Sequence, residues 1–238
     1  MLALLPEITD QVAKHALAKG YGRETVRVAL ENALAACLES SGCPCMVYID
    51  DDFYPHVQLM CSTEQAKTPS LKTLLAYMND FLKVEEAKIR YEFWKLRKNK
   101  AVEATVIGTG LQMILLQLKS EQIAYLPVKH RNPKDEYVPG TSLWVYITRV
   151  NRRADRVFVY VSRSSKELPV SLLKQMYPDI NAKALWRKPG HKTVMVCDEH
   201  IPPHVAAQIA KMVNDRLVRI VHKDFLKSLP GNVDIRKL

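Results

Sequence analysis

The chain has 238 residues, 47% of them hydrophobic, and a formal net charge of +10. That length exceeds one small module, and the apolar fraction is too ordinary for wholesale disorder. No apolar run is long enough to span a bilayer, residues 1–6 lack the basic start of a secretory leader, and five cysteines without such a leader imply free thiols in a reducing, cytoplasmic setting. The charge is uneven. Residues 1–66 carry nine acids and four bases, net −5, which leaves 31 bases and 16 acids, net +15, for the rest. An acidic head on a basic body directs nucleic-acid contact to the body.

Thr9 or Asp10 is placed to cap a first helix that runs to about Lys19, and Gly20 and Gly22 break it. Val26, Leu30, Ala33, Leu34 and Cys37 recur at helical spacing and predict a second helix over 23–39. Two short strands, 46–49 and 56–61, follow, joined by a turn that contains Asp50, Asp51 and Asp52. The head is thus an α-α-β-β unit. A Thr68-Pro69-Ser70 start opens a long helix to about Lys98, with Leu71, Leu74, Leu75, Met78 and Leu82 on one stripe and a basic second half. At about 1.5 Å per residue it spans roughly 40 Å.

From Val102 the period changes to two. Strands are expected at 102–108, 111–118, 123–126, 143–150 and 157–161, and five short strands with a Gly108/Gly110 bend suit a closed barrel of the OB type. Its last two strands form a hairpin with Trp144, Tyr146 and Thr148 on one face. The polar connection 151–156 carries Arg152, Arg153 and Arg156. Aromatic faces and arginine tips suit base stacking and phosphate contact, though an ordinary half-buried hairpin has the same composition. A helix at 168–176, a hairpin at 182–197 with a basic turn, helices at 203–213 and 217–229, and a strand at 233–236 complete the pattern. That order, α-β-β-α-α-β, is the one of a bacterial-type KH domain. The fold class is therefore α+β multidomain, divided as 1–100, 101–165 and 166–238.

No catalytic constellation stands out. Cys37, Cys43, Cys45 and Cys61 share the head, but Cys43-Pro44-Cys45 lacks the two-residue gap of zinc sites. His200 and His204 flank Pro202-Pro203, which excludes the helical spacing of a zincin and marks a loop and helix start. The aspartate run sits in a turn and reads as a solvated or partner-facing loop rather than a metal site. No metal, cofactor or enzymatic activity is expected.

Several runs resemble the bacterial transcription factor family NusA. They are Tyr137-Val138-Pro139-Gly140-Thr141, Val157-Phe158-Val159 with Ser162-Arg163-Ser164, Tyr177-Pro178-Asp179-Ile180, 182–192 around Pro189-Gly190, and the helix around Ala29-Leu30-Glu31-Asn32-Ala33. The resemblance implies a monomeric elongation factor. Its head would meet RNA polymerase at the β-flap region near the RNA exit channel, here through Arg27, Glu31, Asp50, Asp51 and Asp52. Its body would guide nascent single-stranded RNA, modulating pausing, termination or antitermination with other elongation factors, without contact with a membrane. On this chain the RNA ligands would be Arg149, Arg152, Arg153, Arg156, Arg163, Lys183, Arg187, Lys188, Lys192, Arg216 and Arg219. One KH-like unit stands where the family usually carries two or more. At the place of its Gly-x-x-Gly clamp this chain has Asn214, Asp215, Arg216 and Leu217, which puts backbone clamping of RNA in doubt. The alternatives are a stand-alone RNA-binding module that does not meet polymerase, or a metal-dependent nuclease using Asp50 to Asp52.

Overall fold

A computed structural model describes residues 4–60, 67–227 and 234. Cys61 and, apart from Asp234, the strand expected at 233–236 lie outside them. The chain is a mixed α+β protein with a closed five-stranded barrel. It divides into two compact units, Met1–Arg90 with Arg152–Arg156, and Tyr91–Asn151 with Val157–Leu238.

The first unit holds α1 (Leu5–Ala18), α2 (Arg23–Ser40), β1 (Cys45–Ile49), β2 (Pro55–Leu59) and most of α3 (Leu71–Lys95). The first helix begins before its expected cap. Pro6 fits the first turn, and the Thr9 hydroxyl donates back to the Leu5 carbonyl at 2.9 Å inside the helix. Every third or fourth residue of α2 is apolar, so Val26, Leu30, Leu34 and Leu38 bury one stripe with Leu74, Met78 and Leu82 of α3. Strands β1 and β2 pair antiparallel, Tyr48 opposite His56. Burial pushes the Cys37 thiol up to about 11 and leaves it protonated. Cys43 is disulfide-bonded, which corrects the expectation of free thiols throughout, whereas Cys37, Cys45 and Cys197 are free. The Met60 amide donates to the Pro44 carbonyl and draws the end of β2 onto the stretch that carries Cys43.

In the second unit, β3 (Ala101–Thr109), β4 (Met113–Leu118), β5 (Ile123–Pro127), β6 (Ser142–Arg153) and β7 (Arg156–Ser162) close in the order β3-β4-β5-β7-β6, with β6 back on β3. Strand β5 runs parallel to β7, while β3–β4, β4–β5 and β3–β6 are antiparallel. This is an OB-type barrel. Val106, Leu116, Leu126, Ile147 and Val159 fill its interior from alternate positions. The connection expected at 151–156 is mostly strand. Ala154 takes φ 47° in a tight turn with Asp155, so Arg152 and Arg153 end β6 and Arg156 begins β7.

The remainder is α4 (Glu167–Met176), β8 (Ala182–Lys188), β9 (Lys192–Cys197), α5 (Pro203–Val213), β10 (Leu217–His222) and α6 (Lys223–Lys227). The expected helix over 217–229 is corrected. Leu217–His222 is a strand lying parallel to β9 at the edge of the sheet β10-β9-β8. Its burial alternates, with Val218 inside and Leu217 and Arg219 outside, and α5 makes the crossover that a parallel pair needs. The element order is therefore α-β-β-α-β-α, and the third helix of the expected KH order gives way to a strand. Leu168, Leu172, Leu173, Met195, Ile209 and Val213 form the core between this sheet and α4 and α5.

Candidate nucleic-acid interface

Alternation in β5 and β7 sorts their side chains. Ala124, Leu126, Val157, Val159 and Val161 point in, which leaves Tyr125, Phe158 and Tyr160 half-buried on the outer face. Parallel pairing sets Tyr125 beside Tyr160, so their rings lie 5.7 Å apart, and the Tyr125 and Phe158 rings lie 5.8 Å apart, both pairs tilted by under 40°. The Arg149 guanidinium sits over the Tyr160 ring at 4.4 Å. The Thr148 hydroxyl donates to the Tyr160 carbonyl at 3.0 Å, tying β6 to β7 beside the aromatic row. Strands two and three of an OB barrel are a common oligonucleotide platform, and Tyr125 lies on strand three. Flat aromatic faces accept any base, and the adjacent guanidinium adds attraction for phosphate and for stacked π-systems.

The sequence points to Trp144 and Tyr146 as the stacking face of the hairpin, and the structure places both against the core of α4, α5 and their sheet. Tyr125 was missed because its strand is short and its neighbours are plain aliphatics. The signal available was the shared parity of Tyr125, Phe158 and Tyr160 on strands that close one barrel. Arg149, Arg152, Arg153 and Arg156 are exposed, as their proposed role needs, and Arg156 has Asp155 at 3.9 Å.

Arg163 and Arg187 are corrected: neither side chain is available to RNA. Arg163 is 1% exposed and grips Asp135 with two charge-assisted hydrogen bonds of 2.6 and 2.9 Å, and it also donates to the carbonyls of Trp144 and Met212. The Arg187 side chain is fully buried on Asp215 at 2.9 and 3.2 Å and donates to the Arg163 and Ser165 carbonyls. Asp215 also accepts from the Gly190 amide and the Thr193 hydroxyl, both at 2.7 Å. Burial is the main force that raises the Tyr137 phenol, followed by the nearby Asp135 charge. These pairs fasten the barrel's 132–137 segment to α5 and the turn between β8 and β9.

The expected clamp loop is corrected with them. Asn214 closes α5 in the left-handed conformation, φ 54°, Asp215 points inward, and Leu217 already belongs to β10. Glycine at Leu217 would weaken a strand and restore no clamp. A groove of about 630 Å³ lies between α5 and β10, lined by Ala206, Ala207, Ala210, Lys211, Arg216 and Leu217 among others. Lys183, Lys188, Arg216 and Arg219 are exposed on this part of the unit, and Lys192 is half-buried.

In the head, Asp50 organises its own turn. It accepts from the Tyr54 and Asp52 amides and lies 3.1 Å from His56 Nε2, and the Tyr54 amide above all holds its carboxyl below the usual range. Asp51 and Asp52 are exposed, Glu31 is half-buried, and Arg27 pairs with Glu24 at 2.6 Å. Among the described residues no group of three His, Cys, Asp or Glu side chains is placed to hold a metal ion, and no helix is long and apolar enough to cross a membrane.

The fold and this face define a class, a multidomain α+β chain around an OB-type barrel with an aromatic outer row. Among known proteins it is similar to the transcription termination/antitermination protein NusA of Thermus thermophilus, with 26% identity over 144 residues. The match covers 58% of this chain and 37% of that protein, so it spans little over a third of the relative's length. A crystal structure of a multidomain protein with nucleic acid binding domains from Streptococcus pneumoniae matches 71% of this chain and 49% of that one at 10% identity. Its TM-score of 0.24 supports no statement about this chain. No protein-family model matches the sequence.

Proposed function

We propose that this chain binds single-stranded RNA on the outer face of its barrel and acts on transcription as an accessory factor of RNA polymerase. One observation carries the RNA reading: Tyr125, Phe158 and Tyr160 form a row on an OB-type barrel with Arg149 over its end. Similarity to a NusA protein supports the transcriptional setting. In this reading the factor works in the cytosol by positioning RNA, with no covalent step, and the head surface around Asp51 and Asp52 meets the polymerase.

The test is a titration of a labelled single-stranded oligouridylate with the full chain. Replacing Tyr125 or Tyr160 by alanine removes one stacking surface, and each is expected to weaken binding by about 1–3 kcal/mol, roughly five- to 150-fold. Unchanged affinity in both variants overturns the platform. Pull-down of core RNA polymerase by the full chain tests the setting. If RNA binds and polymerase does not, the chain is an RNA-binding module outside the polymerase.

A further inference from the structure

A second feature of the barrel lies away from the aromatic row, where β3 and β6 meet the end of α3. A cavity of about 360 Å³ opens there, lined by Phe93, Trp94, Arg97, Glu103, Lys119 and Trp144 among others. Ligand pockets begin at roughly 300 Å³, so it admits one flat group with a small appendage and no length of strand. Phe93 and Trp94 lie edge to face with centroids 5.2 Å apart, and the Arg97 guanidinium stacks on Phe93 at 3.5 Å. Glu103 sits directly across from Trp144 in the β3–β6 ladder, so both project from the same outer face.

The three kinds of lining group select the ligand. Phe93, 41% exposed, and the half-buried Trp144 offer ring surface to a planar π-system, while Trp94, 4% exposed, supports Phe93 edge to face. Arg97 and Lys119 favour an anion, which argues against a quaternary ammonium or methylated lysine in this aromatic box. Glu103 is an acceptor with two oxygens suited to two adjacent N–H donors. Among the RNA bases only guanine presents such a pair, N1–H and the N2 amino group, on its pairing edge. Adenine and cytosine set a single amino group beside an acceptor, and uracil sets one N–H between two carbonyls.

We propose that this cavity is a guanine-nucleotide site: the base stacks between Phe93 and Trp144, Glu103 reads its pairing edge, and Arg97 holds the phosphate. The inference rests on the RNA reading only for the source of the base, which is either a nucleotide flipped out of a single strand or a free one.

Two of the chain's three tryptophans line the cavity, so indole fluorescence of the full chain reports occupancy. GMP is expected to change it saturably, with AMP, CMP and UMP binding at least about tenfold more weakly, as a bidentate base contact allows. Glu103→Gln should reduce that preference to less than about threefold at an unchanged melting temperature. Phe93→Ala, at an exposed position, should weaken GMP. No saturable response, an equal response to all four nucleotides, or a preference intact in Glu103→Gln overturns the site. Oligouridylate with and without one guanine separates the sources. A gain from the guanine that Glu103→Gln removes means the base comes from RNA, whereas a GMP response with no such gain assigns the site to a free nucleotide. Tyr125→Ala should leave the GMP titration unaltered, so failure of the barrel platform and failure of this site give different results.

Discussion

Two arginines that look like RNA ligands by charge are interior struts. For Arg163 the sequence held the reason: Val157, Val159 and Val161 are buried on β7, and position 163 continues their parity. A side chain entering a core as a cation needs a partner there, and Asp135 meets it on the 132–137 segment. For Arg187 no such signal existed, because an irregularity between Ala184 and Trp186 resets the alternation of β8. The consequence is measurable. Arg163→Met leaves Asp135 charged and buried without its partner, and is expected to cost about 3–5 kcal/mol in urea unfolding. Adding Asp135→Leu should recover most of that loss, because the penalty belongs to the orphaned charge. A single variant as stable as the parent would mean that water reaches Asp135. RNA affinity per folded molecule should not change in either variant.

Among the elements, strands with clean alternation were legible and those decided by a distant partner were not. The barrel strands appear within a few residues of their expected limits, since each carries inward Val, Leu, Ile or Ala at alternate positions. Leu217–His222 reads equally as helix or strand over six residues, and only the parallel partner β9 settles it. The turn between β8 and β9 shows the same dependence. Gly190 has φ 77°, and a Cβ there would stand 2.8 Å from Asn132 Oδ1, an atom of the segment that accepts the Lys134 amide. Its own amide donates to Asp215. Both the backbone conformation and the close approach demand glycine. Gly190→Ala should therefore destabilise the fold by more than about 1 kcal/mol, read as a lower denaturant midpoint at constant slope. An unchanged midpoint would show that the Asn132–Lys134 stretch yields.

For the whole molecule, composition alone shows an acidic head and a basic body, while the grouping of the barrel with the following sheet needed contacts between residues far apart in the chain. The buried Arg163, Arg187 and Asn132 bonds make that grouping, and none has a local signature. Removing Arg163 and Arg187 from the list of RNA ligands also changes the electrostatics expected of binding. Release of counterions makes log K fall with log salt by about 0.7 for each phosphate neutralised on a single strand. The exposed Arg152, Arg153 and Arg156 remain as candidates, and the surface pair of Arg156 with Asp155 at 3.9 Å is too weak to withdraw it. Neutralising all three with glutamine should lower the slope for an oligouridylate by about 2 between 50 and 200 mM salt, with weaker binding at the low-salt end. Lys14→Gln with Lys19→Gln, on the acidic head, should leave the slope as it was. A triple variant with the parental slope would make the hairpin tip a solvated turn and leave Arg149 and the lysines of the second unit to neutralise the phosphates. A slope that also falls with the head variant would place RNA on the head and overturn its assignment to the basic body.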